Sequence, residues 1–441
     1  MPSNEVPESF VAPVSLAATV ARTRSGALPL VEVVEAACDR LDAVDQLVRA
    51  VLPEPGRRQR LLRQSAALEA RYPDPASRPP LYGVLAGIKD IIAVDGMPTR
   101  AGSAIPPSEF ATAEATSVVR LRAGGALILG KTVTTEFAAR EPGATTNPHN
   151  RAHTPGGSSS GSAAGIAAGE FHLAYGTQTV GSVVRPAAFC GIVGFKPTHE
   201  RIPRAGVLDY SPSVDHVGLF TADAPGMRIA ASATLTGWRD ETIEAGAMPV
   251  IAVTDGPYLE QADEEACAAL EASVDRLQAA GARVLRLPML EDIEAINQRH
   301  TALIAAEFAA AHHDRFERWA QLYRPYSARH VEEGRAVPAE AVEQGRQSRL
   351  ELRSRLDGLM DEHGLDLLVS VPATGPAPEG LGWTGDASMN LPWTHSGLPA
   401  LTLPAGLASN GLPLGVQLAA RFGEDERLLA WAERVEPVVA G

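Results

Sequence analysis

From Leu81 onward the chain alternates short apolar runs with helical stretches, and this alternation restricts the fold more than any other feature of the sequence. Residues 85–88, 126–129, 173–175 and 190–195 are apolar runs too short for helices and punctuated by glycine. Residues 249–254, 282–287, 365–371, 401–404 and 416–419 continue the series as further short strands. Between them, Ala266, Leu270, Val274 and Leu277 recur at helical spacing, residues 291–363 read as largely helical, and residues 424–435 form a closing amphipathic helix. Buried strands separated by helices imply an α/β architecture. Ahead of this region, residues 1 to about 70 read as helical, with Leu30, Val34, Ala37 and Leu41 on one face. The stretch 56–80, with Pro73, Pro75, Pro79 and Pro80, breaks that pattern. No internal repeat and no clean linker divides the 441 residues, so one large α/β domain with helical elaborations is expected.

Lysine and arginine number 39 against 53 aspartate and glutamate, a formal net charge of −14. Such a field repels a phosphate backbone and argues against a nucleic-acid partner. Cys38, Cys190 and Cys267 are odd in number and far apart, which fits neither a disulfide framework nor a zinc ribbon; all three are expected to be small buried hydrophobes. No apolar run approaches the roughly 20 residues that span a bilayer. The start, Met-Pro-Ser-Asn-Glu, lacks the basic and apolar segments of a signal peptide. A cytoplasmic protein is expected.

Three familiar patterns fail on physical grounds. GALILGKT, residues 125–132, has phosphate-loop spacing, but Ala126 to Leu129 form an apolar run where a phosphate cradle needs a loop with inward amides. GSSSG, residues 157–161, has the spacing of a nucleophile elbow around Ser159, yet loop residues 147–155 stand where the elbow needs a strand. His149 and His153 have metal-helix spacing, but Pro148 and Pro155 flank them and no adjacent glutamate supplies a base. These two, with His312 and His313 on a charged helix, are expected on the solvated surface.

Three stretches place lysine or serine beside glycine, where backbone can approach a substrate: residues 87–90 (GIKD), 156–162 (GGSSSGS) and 176–182 (GTQTVGS). The Gly/Ser run continues into AAGIAA, which reads as a helix entering a core and not as a flexible linker. Serines then sit at its N-terminal cap, among free amides.

From Pro155 to Thr198 the chain reads PGGSSSGSAAG, GTQTVGS and RPAAFCGIVGFKPT in order, and residues 397–406 read GLPALTLPAG. These segments resemble the amidase signature family, strongly across residues 81–220. The resemblance implies a single α/β/α domain over 1–441 with a mixed, many-stranded sheet flanked by helices: an N-terminal helical portion (1–70), a signature core (81–220) and a variable helical elaboration (291–363). Carried over residue by residue, it implies Ser182 as nucleophile, Ser158 as a bridging serine after a cis Gly157–Ser158 peptide, and Lys89 as base. The backbone amides of Thr179, Val180, Gly181 and Ser182 would hold the oxyanion.

A serine hydroxyl needs a base, and lysine serves only as the free amine, so Lys89 must be desolvated. The implied activity is hydrolysis of a carboxylic amide, or a related hydrazide or urea-type bond, through an acyl-enzyme on Ser182, without metal or organic cofactor. The partner is a small-molecule amide; no membrane is involved, and a homodimer is left open. Alternatives are the ammonia-producing subunit of an amidotransferase and a catalytically silent binding protein on the same fold. The sequence departs from the family's commonest motif with Gln178 for aspartate, Val180 for glycine and its arginine one place later, at Arg185. That variant argues against a glutaminyl-tRNA amidotransferase component, and Val180 requires ordinary backbone angles. Candidate pocket residues are Phe137, Thr145, Trp383 and Trp393, with residues 386–393 bordering the pocket.

Overall fold

The computed structural model describes residues 9–440. Among them ten strands form one sheet: β1 (Leu85–Lys89), β2 (Leu127–Thr132), β3 (Leu173–Gln178), β4 (Val193–Lys196), β5 (His216–Thr221), β6 (Val250–Asp255), β7 (Arg283–Pro288), β8 (Leu367–Ser370), β9 (Ala400–Leu407) and β10 (Pro413–Ala419). Their order is β2-β1-β3-β5-β4-β9-β10-β8-β6-β7. Parallel triplets lie at the two ends and antiparallel strands between them, so the sheet is mixed.

Helices cover both faces, and the alternation of side chains along the strands shows why. Leu85, Leu127, Leu129 and Ala174 pack with Val33, Val34 and Leu41 of the helix Leu30–Val48 and with the helix Ser160–Ala167. Ala86, Ile88, Ile128, Leu173 and Tyr175, one position away, join the core of the other face. Every expected strand has a counterpart, although Cys190 belongs to the end of the helix Val184–Cys190 and its strand begins at Val193.

Several expectations need correction. Residues 56–80 do not simply interrupt the helical region: Arg57–Arg71 is a 15-residue helix that buries Leu61 and Ser65 before the prolines begin. The strand β5 and the helix Ala224–Thr234 lie where the sequence pattern marks no element. Cys38 and Cys190 are buried, but Cys267 is only half-buried. His312 is not on the surface; it is wholly buried and stacks on Phe308, with ring centroids 4.1 Å apart. The start of the chain, residues 1–8, lies outside the described residues. No described helix is long and apolar enough to cross a membrane.

Candidate active site

β1 ends at Lys89, and its parallel neighbour β3 ends at Thr177 and Gln178. Side chains from both leave the sheet at the carboxyl edge, where α/β sheets gather their sites. Lys89 is fully buried; its Nζ lies in hydrogen-bonding contact with Ser158 Oγ at 2.7 Å and with Thr177 Oγ1 at 2.8 Å. Burial drives the ammonium form well below the usual lysine pKa, and the charge of Asp215 offsets this only in part. Burial thus favours the neutral amine, the form in which a lysine has a lone pair to take a proton.

Ser158 stands just ahead of the helix Ser160–Ala167, after a cis Gly157–Ser158 peptide. Its position is held from both sides. Arg185 Nη2 donates to Gly157 O at 2.5 Å, and Thr135 N donates to Ser158 O at 3.2 Å. The small residues of this run serve close packing. A Cβ on Gly161 would stand 2.1 Å from Ala50 O, and one on Gly165 would stand 2.2 Å from the Phe171 ring. Ser162 Oγ ties the helix to the sheet through Thr132 Oγ1 and Tyr175 O, each at 2.8 Å.

Residues 179–182 cross the carboxyl edge as a loop in which three successive carbonyls are engaged. Thr179 O accepts from His300 Nε2 at 3.1 Å, Val180 O from Thr394 Oγ1 at 2.6 Å, and Gly181 O from Arg185 N at 3.1 Å. Among the described residues the amides of Thr179, Val180, Gly181 and Ser182 have no protein acceptor, so they are free to bind an anionic oxygen. Val180 keeps ordinary backbone angles. Gly181 has no room for a side chain, since a Cβ would meet Asn390 Oδ1 at 2.2 Å.

Gln178, the departure from aspartate, works with both ends of its amide. Its oxygen accepts from Val183 N (2.8 Å) and Val184 N (3.0 Å), satisfying donors at the start of the helix Val184–Cys190. Its nitrogen donates to Thr394 Oγ1 at 2.9 Å, the hydroxyl that restrains Val180.

Behind Thr179 runs a buried chain of three side chains. His300 Nδ1 lies 3.2 Å from His395 Nδ1, and His395 Nε2 lies 2.8 Å from Ser348 Oγ. The Thr179 carbonyl can only accept, which fixes every proton: His300 carries its hydrogen on Nε2, His395 donates from Nδ1, and Ser348 donates to His395 Nε2. Burial lowers the two imidazoles to about 3 (His300) and about 2 (His395), so both stay neutral.

Ser182 is half-buried and lines a cavity of about 600 Å3, together with Thr179, Val180, Arg185 and His300. Of the candidate pocket residues, Trp383 is exposed and lines this cavity. The other three do not reach its wall. Phe137 packs against His312 and Tyr323, Thr145 Oγ1 donates to Arg49 O at 2.7 Å, and Trp393 Nε1 donates to Tyr258 Oη at 3.0 Å in the core. Asp386, Ala387, Ser388 and Leu391 of the stretch 386–393 do border the cavity. Sequence reasoning missed Asn297, His300, Thr301 and Ile304 of the helix Ile293–Ala311, although their spacing of three and four is a readable stripe on one helix face.

The patterns that fail as phosphate loop, nucleophile elbow and metal helix have structural uses. Lys131 is buried in β2 and pairs with Asp90 Oδ1 at 3.0 Å while donating to Ile92 O and Thr99 Oγ1. Ser159 Oγ is closed to solvent and donates to Thr177 O at 3.2 Å. His149 and His153 are half-buried and bond separately to the carbonyls of Cys190 and Ala377. Among the described residues no cluster of three or more His, Cys, Asp or Glu is placed to hold a metal ion.

Comparison with known proteins places this geometry in a family context. A family model described as Amidase matches residues 32–429. A glutamyl-tRNA(Gln) amidotransferase subunit from Koribacter versatilis (strain Ellin345) is 29% identical over 433 residues, covering 87% of this chain and 90% of that protein. A solved amidase structure superposes with a TM-score of 0.86 at 28% identity, covering 97% of this chain and all of the other. The peptide amidase of Stenotrophomonas maltophilia superposes with a TM-score of 0.82 at 26% identity, covering 97% of each.

Proposed function

The chain belongs to the amidase family, and from that premise we propose that it hydrolyses a carboxylic amide, or a closely related hydrazide or urea-type bond, through an acyl-enzyme on Ser182. The observation that carries this reading is the buried amine of Lys89 bonded to Ser158 Oγ at 2.7 Å, at the sheet edge crossed by the loop that ends in Ser182.

In this mechanism Ser182 Oγ attacks the substrate carbonyl carbon. Its proton passes to Ser158 Oγ as the Ser158 proton passes to Lys89 Nζ. Negative charge gathers on the substrate oxygen and is met by the unengaged amides of residues 179–182. The carbon–nitrogen bond breaks as Lys89 returns a proton through Ser158 to the leaving nitrogen. Water then attacks the ester, its proton passing by the same route to Lys89 Nζ, and that proton returns through Ser158 to Ser182 Oγ as the acyl–oxygen bond breaks and the acid leaves. One lysine and two hydroxyls carry every proton, so the proposal includes no metal and no organic cofactor. The whole chain is taken as one catalytic unit acting in the cytoplasm, where its three free cysteines persist as thiols.

A second reading is favoured by the name of the Koribacter relative: the ammonia-producing subunit of an amidotransferase. The two readings part on whether the chain works alone. Purified protein should release ammonia or an amine from some members of a panel of aliphatic, aryl and amino-acid amides, hydrazides and ureas, without ATP or other chains. Release only with partner subunits and ATP would favour the second reading.

A further inference from the structure

The cavity carries charge that amide hydrolysis leaves unused. Arg140 and Arg329, the latter on the helix Pro325–Arg335, both line it, as does Tyr326. Their guanidinium carbons lie 5.2 and 5.9 Å from the centre of the Tyr326 ring, so a single aromatic ring contacts two cations. Both arginines are solvent-exposed, and neither forms an ion pair among the described residues, the acids Glu141 and Glu136 being engaged elsewhere. Glu141 pairs with Arg324 and accepts from Tyr326 N, while Glu136 accepts from Arg324 N. Two acids share the cavity wall: Glu333, whose one near contact is the neutral His330 at 3.8 Å, and Asp386, which accepts from Ser388 N; with Arg185 also on the wall, the cations outnumber them. His330, lowered to about 4 by burial and by Arg140, adds no charge of its own. Two unpaired guanidiniums therefore face one cavity in a chain whose net charge is −14.

We propose that Arg140 and Arg329, seated on Tyr326, form a carboxylate subsite, so that the substrate is an amide bearing a carboxylate at a distance from its scissile bond. The inference rests on the amidase reading of Ser182. A guanidinium presents a planar fork of donors that matches a carboxylate, and contact with a shared aromatic ring restrains both side chains. Their role is to select and orient substrate; they take no part in the proton transfers.

The test compares ω-carboxy amides of two to five methylenes with methyl-branched neutral amides of matched length, using the purified full-length protein. At low salt the best carboxylate substrate should exceed its neutral match about tenfold in kcat/KM, mostly through KM, and the advantage should shrink as salt rises. The Arg140→Gln/Arg329→Gln double variant should bring that ratio close to one, and Arg140→Lys/Arg329→Lys should retain part of it. Equal rates for both series, or a preference that survives the glutamine variant, would overturn the subsite while leaving the amidase reading standing. If no amide of either series turns over, calorimetric titration with glutarate still decides: about tenfold weaker binding to the glutamine variant supports the subsite, and equal or absent binding to both proteins rejects it.

Discussion

Lys89 Nζ lies 2.7 Å from Ser158 Oγ in a place wholly closed to solvent, with only hydroxyl and carbonyl oxygens in hydrogen-bonding contact. Burial without a direct counter-ion favours the neutral amine. Activity follows from that protonation state: below its lowered pKa the lysine holds a proton and cannot accept another. The kcat/KM profile should therefore rise with pH through that pKa. Arginine keeps the charge but cannot give up its proton, so Lys89→Arg should be nearly as inactive as Lys89→Ala. A substantial residual rate in Lys89→Arg, measured on the best amide of the panel, would remove the base role.

The serine run gives a second expectation, because its hydroxyls have different neighbours. Ser158 faces Lys89, whereas Ser162 binds the sheet and Ser160 Oγ has no protein partner. Ser158→Ala should cost several orders of magnitude in kcat, short of complete loss, since water can partly replace the relay. Ser160→Ala should stay close to the parent rate. Steady-state kinetics of the two variants side by side would contradict the assignment if Ser160→Ala were the more damaging.

His300 Nε2 donates to the Thr179 carbonyl at 3.1 Å, restraining the loop that leads to Ser182. Removing this donor in His300→Leu should loosen the loop that presents the amides and lower kcat about tenfold with little change in KM. His300→Gln, which can still donate to the carbonyl, should recover part of the loss. Since His300 and His395 titrate near 3 and 2, neither should leave an inflection between about pH 5 and 8, the range in which an ordinary histidine changes charge. Equal damage from Leu and Gln, or a fall in KM alone, would point to a different role.

Lys131 concerns stability and not chemistry. It is the buried partner of Asp90, at 3.0 Å. Lys131→Met would leave the carboxylate without its counter-charge and should cost about 3 kcal/mol in urea denaturation, as such broken pairs do. Addition of ATP should change neither the parent's stability nor its activity.

Much of this arrangement is legible in the amino-acid sequence alone, and the gaps have physical causes. Most strands are readable because each is a compact apolar run near glycine or proline. β5 is hidden because His216 and Gly218 interrupt its apolar residues. The helix Arg57–Arg71 is obscured by prolines beyond its end, despite Leu61 and Leu68 on one face. His312 reads as a surface residue because charged neighbours surround it in sequence. In the fold it continues the buried Phe308 side of its helix. In the site, Lys89, Ser158 and Ser182 lie beside glycines in short recognisable segments. His300, Arg140, Tyr326 and Arg329 come from distant stretches, and only tertiary packing decides which face of each looks into the cavity.

The central claim is that Ser182 is the nucleophile, and covalent capture tests it most directly. Purified protein treated with a fluorophosphonate and examined by intact-mass and peptide mapping should carry one adduct, on Ser182, with loss of amide hydrolysis in step. Ser182→Ala should carry none and remain folded by circular dichroism. An adduct on Ser159, or one that persists in Ser182→Ala, would contradict the account.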